Sequence, residues 1–290
     1  MICSSLIIRN NFQSDIIVYA REMKAFSLNF YLLREPILWY GQKLIYQILK
    51  SDYLTFVLID FIFIQIIFEA LKNLKSPKFI YYSIFLSFPF ILGFQNIYRQ
   101  WAAQCLLLYI LSLSKTSTRS SYKKLFLLFV ASLIHNVSFI FLPLILAQGK
   151  SKSVTFRSLL FLLLITILLI QVRDTKTQAS TGYSLELLYG LFFTILSLAP
   201  LLFDRLRIKV EKFKFYQKMI FLTLIGLIGL AFLSSTASER IFIFILFLAY
   251  PFLILEIEKN FLQKPFIRIV YIFIFFIPIL LFNVREFILK

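Results

Sequence analysis

"YLTFVLIDFIFIQIIFEAL", residues 53–71, is apolar at nearly every position, and its only formal charges are Asp60 and Glu69. A bilayer core of about 30 Å is crossed by roughly 20 predominantly apolar helical residues, so this stretch reads as a membrane span. A lone carboxylate inside a span is costly; Asp60 is expected to be paired or protonated and is given no catalytic role. Similar runs recur near 79–94, 97–113, 157–172, 185–203, 217–233, 240–255 and 266–283, in a chain that is 60% hydrophobic and holds 36 Phe. They are continuous instead of alternating at every second residue, which excludes a closed barrel. The sequence thus predicts an all-α polytopic membrane protein of about eight transmembrane helices. No repeat, Gly/Ser-rich linker or soluble domain is visible, so residues 1–290 are expected to form a single integral membrane domain with its bundle at 53–283. Residues 1–50 include "NNFQSDIIVYAREMKAF" (10–26) and "LLREPILWYGQKLIYQIL" (32–49), which are amphipathic and interfacial in character.

A net charge of +17 would point to nucleic acid in a soluble protein. Here most of the 31 Lys and Arg gather in short connections, as the positive-inside rule requires, and no nucleic-acid partner is expected. The basic connections carry Lys72, Lys75 and Lys78; Lys115, Arg119, Lys123 and Lys124; Lys150, Lys152 and Arg157; and the segments 204–218 and 256–268. These are assigned to the cytoplasm. The charge-poor connections 93–99, 173–184 and 234–240 are assigned to the outside, and residues 1–50 with them. Cys3 and Cys105 have neither metal nor disulfide spacing, and the single histidine cannot build a His-rich metal site, so neither metal nor cofactor is expected.

That histidine, His135, lies in "LFLLFVASLIHNVSFIFLPLIL" (125–146), which has basic segments on both sides. A straight span cannot join two cytoplasmic connections. The run splits at His135–Asn136 into arms too short for two crossings, which predicts a re-entrant helical hairpin. Its tip would face a cavity open to the outside, where irregular backbone is tolerated at membrane depth. One long span that breaks the charge rule is the alternative.

Other polar residues fall at the outward ends of spans. In "FQNIYRQWAAQ" (94–104), Asn96, Arg99 and Gln100 stand at i, i+3 and i+4, and Gln104 continues that face. Snorkelling accounts for one interfacial arginine but not for amides on the same stripe, and polar groups in spans usually mark a site. In "STASERIF" (235–242), Thr236 and Glu239 have capping-box spacing, whereas Arg240 is disfavoured by the dipole at a helix start and calls for an anionic partner. With Asp15, Tyr19 and Glu35 outside as well, the polar set gathers at the outer face. An anionic substrate met there, held by Arg99 and Arg240, is the reading these residues support. His135 is the candidate general base, with Asp15 or Glu35 able to take that role instead.

The order "SDIIVYA…REPILWY…NIYRQWAAQ…KKLFLLFVASLIHNVSFIFLPLIL…SER" resembles the EpsG/Wzy-type polysaccharide polymerases. The matching positions are Asp15 and Tyr19; Glu35; Arg99, Gln100 and Ala103; and Ala131, Leu133 and His135. The resemblance covers about 1–150 well, and the remainder through span count and the Glu239–Arg240 pair. Members usually begin with a span ahead of the D-x-x-x-Y stretch, where this chain has "MICSSLII". The resemblance implies a GT-C-like membrane glycosyltransferase architecture in the bacterial cytoplasmic membrane, with its active site facing the periplasm or exterior. It implies a metal-independent polymerase that joins undecaprenyl-diphosphate-linked repeat units as donor and acceptor. Asn96, Gln100, Asn136, Tyr19 and Glu239 would contact diphosphate or sugar beside the two arginines. Membrane lipid, a chain-length regulator and a flippase are the implied partners. A lipid-linked oligosaccharide flippase, a membrane O-acyltransferase with His135 as base, and a structural subunit are the rival functions.

Overall fold

The computed structural model of the chain describes residues 15–25, 35–95, 97–113, 118–147, 158, 160–164, 166, 186–202, 210–261 and 265–281. Most of the predicted 157–172 span, the 173–184 loop and Asn96 lie outside the described residues. All regular structure among the described residues is helical. Three helices there are long and apolar enough to cross a membrane, at Asp52–Asn73, Phe215–Phe232 and Ser235–Glu258, with shorter apolar helices at Asn136–Leu146 and Glu186–Leu198. The chain divides into two compact units, Met1–Phe139 with Ile272–Lys290, and Ile140–Tyr271.

The first unit begins with α1 (Asp15–Lys24), α2 (Pro36–Leu49) and α3 (Asp52–Asn73). Pro36 opens α2 at a position where its missing N–H costs nothing. The helix closes at Lys50, in the left-handed region at φ 52°, whose N–H bonds the Tyr46 carbonyl. Helix α3 starts at Ser51, whose Oγ accepts from the Leu54 N–H at 3.3 Å. Asp52 in its first turn and Lys72 in its last complement the helix dipole. Its inner face, including Phe56, Ile59, Asp60, Phe63 and Ile67, follows the helical period and packs chiefly against α6 (Tyr98–Ser112). Lys24 joins α1 to α3 through Asp52 at 2.6 Å.

The stretch predicted as one span at 79–94 is divided into α4 (Lys78–Ser83), a 3-10 turn (Ile84–Leu86) and α5 (Phe88–Gln95). Ser87 is extended, its hydroxyl donates to the Ile84 carbonyl at 2.6 Å, and Pro89 fits only a first turn, so a new helix begins at Phe88. Gly93 lets α5 approach α6: a Cβ there would lie 3.0 Å from the Trp101 Cβ. Helix α6 is buried along almost its whole length and is the core of the unit, with α7 (Thr118–Ile134) on its other side. At His135 the α-helix stops and a 3-10 helix (Asn136–Phe141) follows, so the break falls where the sequence splits at His-Asn.

In the second unit, α8 (Leu142–Leu146), α9 (Glu186–Leu202), α10 (Val210–Phe232) and α11 (Ser235–Phe261) precede α12 (Pro265–Leu281), which runs across the unit boundary. Helix α11 is apolar on all sides and almost wholly buried between α9 and α10, as a helix with no polar face must be. Arg268 of α12 binds the buried Glu258 of α11, its Nη2 donating to Oε2 at 2.7 Å.

Candidate functional site

Glu35 precedes α2, and its proline neighbour ends any helix before it. The carboxylate is only 4% exposed, and both of its oxygens are used. Oε2 receives the Arg99 guanidinium from the first turn of α6. Oε1 receives the His135 ring through Nδ1 at 2.6 Å and the Asn136 backbone N–H at 3.2 Å. Asn136 donates there because the α-helix has just ended at Ile134 and its amide is turned out of the helical ladder. Three segments far apart in sequence thus meet on one side chain.

Arg99 is held from other directions too. Its Nε donates to the Tyr19 hydroxyl of α1 at 2.9 Å, and the guanidinium lies 5.0 Å from the Trp39 ring and 5.7 Å from the Tyr19 ring. The Tyr19 and Trp39 rings are themselves 4.9 Å apart. A planar cation set against the Trp39 ring while bonded through Nε to a phenol uses the features that separate Arg from Lys. Behind it, the Tyr98 hydroxyl donates to Asp60 Oδ1 at 2.8 Å, both side chains fully buried. Asp60 is therefore paired, and its partner sits next to Arg99 in the chain.

Burial pushes the Glu35 carboxyl upward, but the His135 hydrogen bond, the charges of His135 and Arg99 and the Asn136 amide outweigh it. The group is held below its ordinary value of 4.5. An ionised Glu35 accepts from Nδ1, so that nitrogen carries a proton, and in the neutral ring Nε2 then holds the lone pair. The arrangement suits a base oriented by a carboxylate.

Of the residues singled out in the sequence, Tyr19, Glu35, Arg99, His135 and Asn136 come together in the first unit. Gln100 is buried beside them in the chain on α6. Asp15 starts α1, one turn before Tyr19. Glu239 and Arg240 belong to the second unit, where Glu239 has Glu186 and Arg240 as charged neighbours and Arg240 is exposed. Helix α11 begins at Ser235, with the Ser238 N–H on the Ser234 carbonyl at 2.9 Å. Thr236 and Glu239 thus miss the two positions of a capping box. Ser235 instead donates to Glu186 Oε2 at 2.7 Å and ties α11 to α9. Sequence reasoning missed Trp39. The signal available was its spacing of four residues from Glu35, which puts both on one side of α2.

A family model described as the EpsG family matches residues 1–288. No curated protein and no solved structure matches the chain. Since the match runs over both units, well past the stretch that carries the motif resemblance, the chain belongs to the EpsG family of polysaccharide-polymerase-type membrane proteins.

Proposed function

We propose that the protein joins lipid-linked oligosaccharide repeat units at the outer face of the bacterial cytoplasmic membrane. Donor and acceptor are glycans on undecaprenyl diphosphate. The observation that carries this reading is the buried Glu35 carboxylate shared by Arg99 and His135. In the transfer, an acceptor hydroxyl oxygen bonds to the donor's anomeric carbon as the bond from that carbon to the diphosphate breaks. The hydroxyl proton passes to His135 Nε2, and Glu35 at Nδ1 steadies the imidazolium that forms. Undecaprenyl diphosphate leaves with the electron pair. Arginine supports the departing charge without a metal, and Arg99 stands beside the base to do so. Among the carboxylates proposed as base, Glu35 fits the orienting role better, because its held-down pKa makes it a poor proton acceptor.

The reading is tested in cells from which the protein is deleted. They are expected to carry single repeat units in place of polymer, with polymer restored by the wild-type chain and not by His135→Gln. Full-length polymer in the deletion cells would overturn it.

A further inference from the structure

Glu35 is satisfied on both oxygens, but the polar atoms just after it on α2 are not. Trp39 and Gln42 follow Glu35 at i+4 and i+7, and both lie on the buried face of the helix. They are 3% and 0% exposed. Among the described residues, the Trp39 indole N–H has no hydrogen-bond partner, nor do the two carboxamide atoms of Gln42 or the Tyr40 hydroxyl. Buried polar atoms are normally paired, and each orphan lowers stability. Here four of them fall within residues 39–42, about one turn of α2 that begins one turn after the carboxylate holding Arg99 and His135.

The chemistry of the four restricts what would satisfy them. A carboxamide both donates and accepts, a phenol does likewise, and an indole donates. None carries a charge. An anion would meet the carboxamide oxygen unfavourably, and an acyl chain would leave all four unpaired. A neutral polyhydroxylated ring offers donors and acceptors together, plus an apolar face for the aromatic side chains. We infer that Trp39 and Gln42 form a subsite for the hydroxyls of a neutral sugar, reaching about 10 Å along α2 from Glu35. This rests on the polymerase reading and deepens it: the subsite holds the sugar residues next to the one whose hydroxyl reacts.

The test uses the full chain in lipid nanodiscs. The probe is the oligosaccharide repeat unit released by mild acid from the lipid-linked pool of cells lacking the protein. Binding is followed by the rise in Tm with sugar concentration. Gln42→Met removes the carboxamide at nearly constant volume. Its Tm without sugar is expected within about 2 °C of wild type or above it, because no bond of the sugar-free protein is lost. Its apparent affinity for the oligosaccharide is expected to fall about tenfold or more. Gln47→Met, an exposed amide of the same helix, should change neither. A wild-type protein that the oligosaccharide does not stabilise, or a Gln42→Met protein that binds it normally, would overturn the inference. So would a sugar-free Gln42→Met protein that melts several degrees lower, since Gln42 would then be bonding water or protein. Failure of the polymerase reading shows separately, as polymer in deletion cells.

Discussion

Replacing Glu35 by Gln keeps the shape of the side chain and removes the charge that Arg99 and His135 share. Breaking a buried ion pair from one side costs about 3–5 kcal/mol, and Glu35→Gln is expected to lower the unfolding free energy toward that amount. Because the folded-state pKa lies below the ordinary 4.5, the charge stabilises the fold above that pH and stops doing so as pH falls through the folded value. The Tm gap between wild type and Glu35→Gln should therefore be full near neutrality and shrink below about pH 4.5. A gap independent of pH would refute the ionised carboxylate. Arg99→Lys retains charge but loses the edge-on bond to Tyr19 and the stacking on Trp39. Polymer formation should fall about tenfold or more, whereas unchanged polymer length would reduce Arg99 to an interfacial anchor. Glu35, Arg99 and His135 were each legible in the sequence, because an ionisable group near a span is conspicuous. Their meeting was not, since the partners lie 64 and 100 residues from Glu35. Gln42 escaped notice for the opposite reason. An amide in an amphipathic helix is ordinary until its surroundings show that nothing bonds it.

At the scale of elements, α6 presents Arg99 only because its first turn is fixed against α3. The Tyr98–Asp60 bond does this from inside the buried core. Tyr98→Phe is expected to cost about 1–3 kcal/mol of stability, the usual result of removing one partner of a buried hydrogen bond, as read by thermal unfolding of the purified protein. No loss of Tm would detach Asp60 from the support of α6. Alanine favours helix over glycine by about 1 kcal/mol, yet Gly93→Ala should destabilise, because its Cβ would press on the Trp101 Cβ, an atom close to the backbone. A higher Tm for Gly93→Ala would show that α5 yields freely. The long elements were plain from composition: residues 53–71 became α3, and 240–255 lie inside α11. The division at Ser87 was not, because hydropathy averages over the serine and proline that interrupt the helix. The start of α11 shifted similarly, since the choice of capping residue depends on contacts with α9 that spacing does not contain.

For the whole molecule, the basic connections set an orientation that is open to direct measurement. In a background with Cys3 replaced by Ser, a cysteine at Ser235 should react with a membrane-impermeant reagent in intact cells, and one at Lys212 should not. Labelling at Lys212 alone would invert the proposed orientation and overturn an outward-facing site. Helix α11 spans Ser235–Phe261, about 40 Å at 1.5 Å per residue, enough to separate the two faces. The contact at Glu35 also constrains how the protein is made. Glu35 is synthesised 64 residues before Arg99 and 100 before His135. At about 5–20 residues per second, the carboxylate waits roughly 5–20 s for its last partner. A transmembrane segment would spend that interval with an uncompensated charge in lipid, at a cost of several kcal/mol. An interfacial helix would spend it in water. With α2 at the interface, as its amphipathic sequence predicts, the carriage of Glu35 just ahead of a short helix in place of a span would make the order of biogenesis tolerable: the acid would wait at the surface until the arginine and histidine are delivered to it.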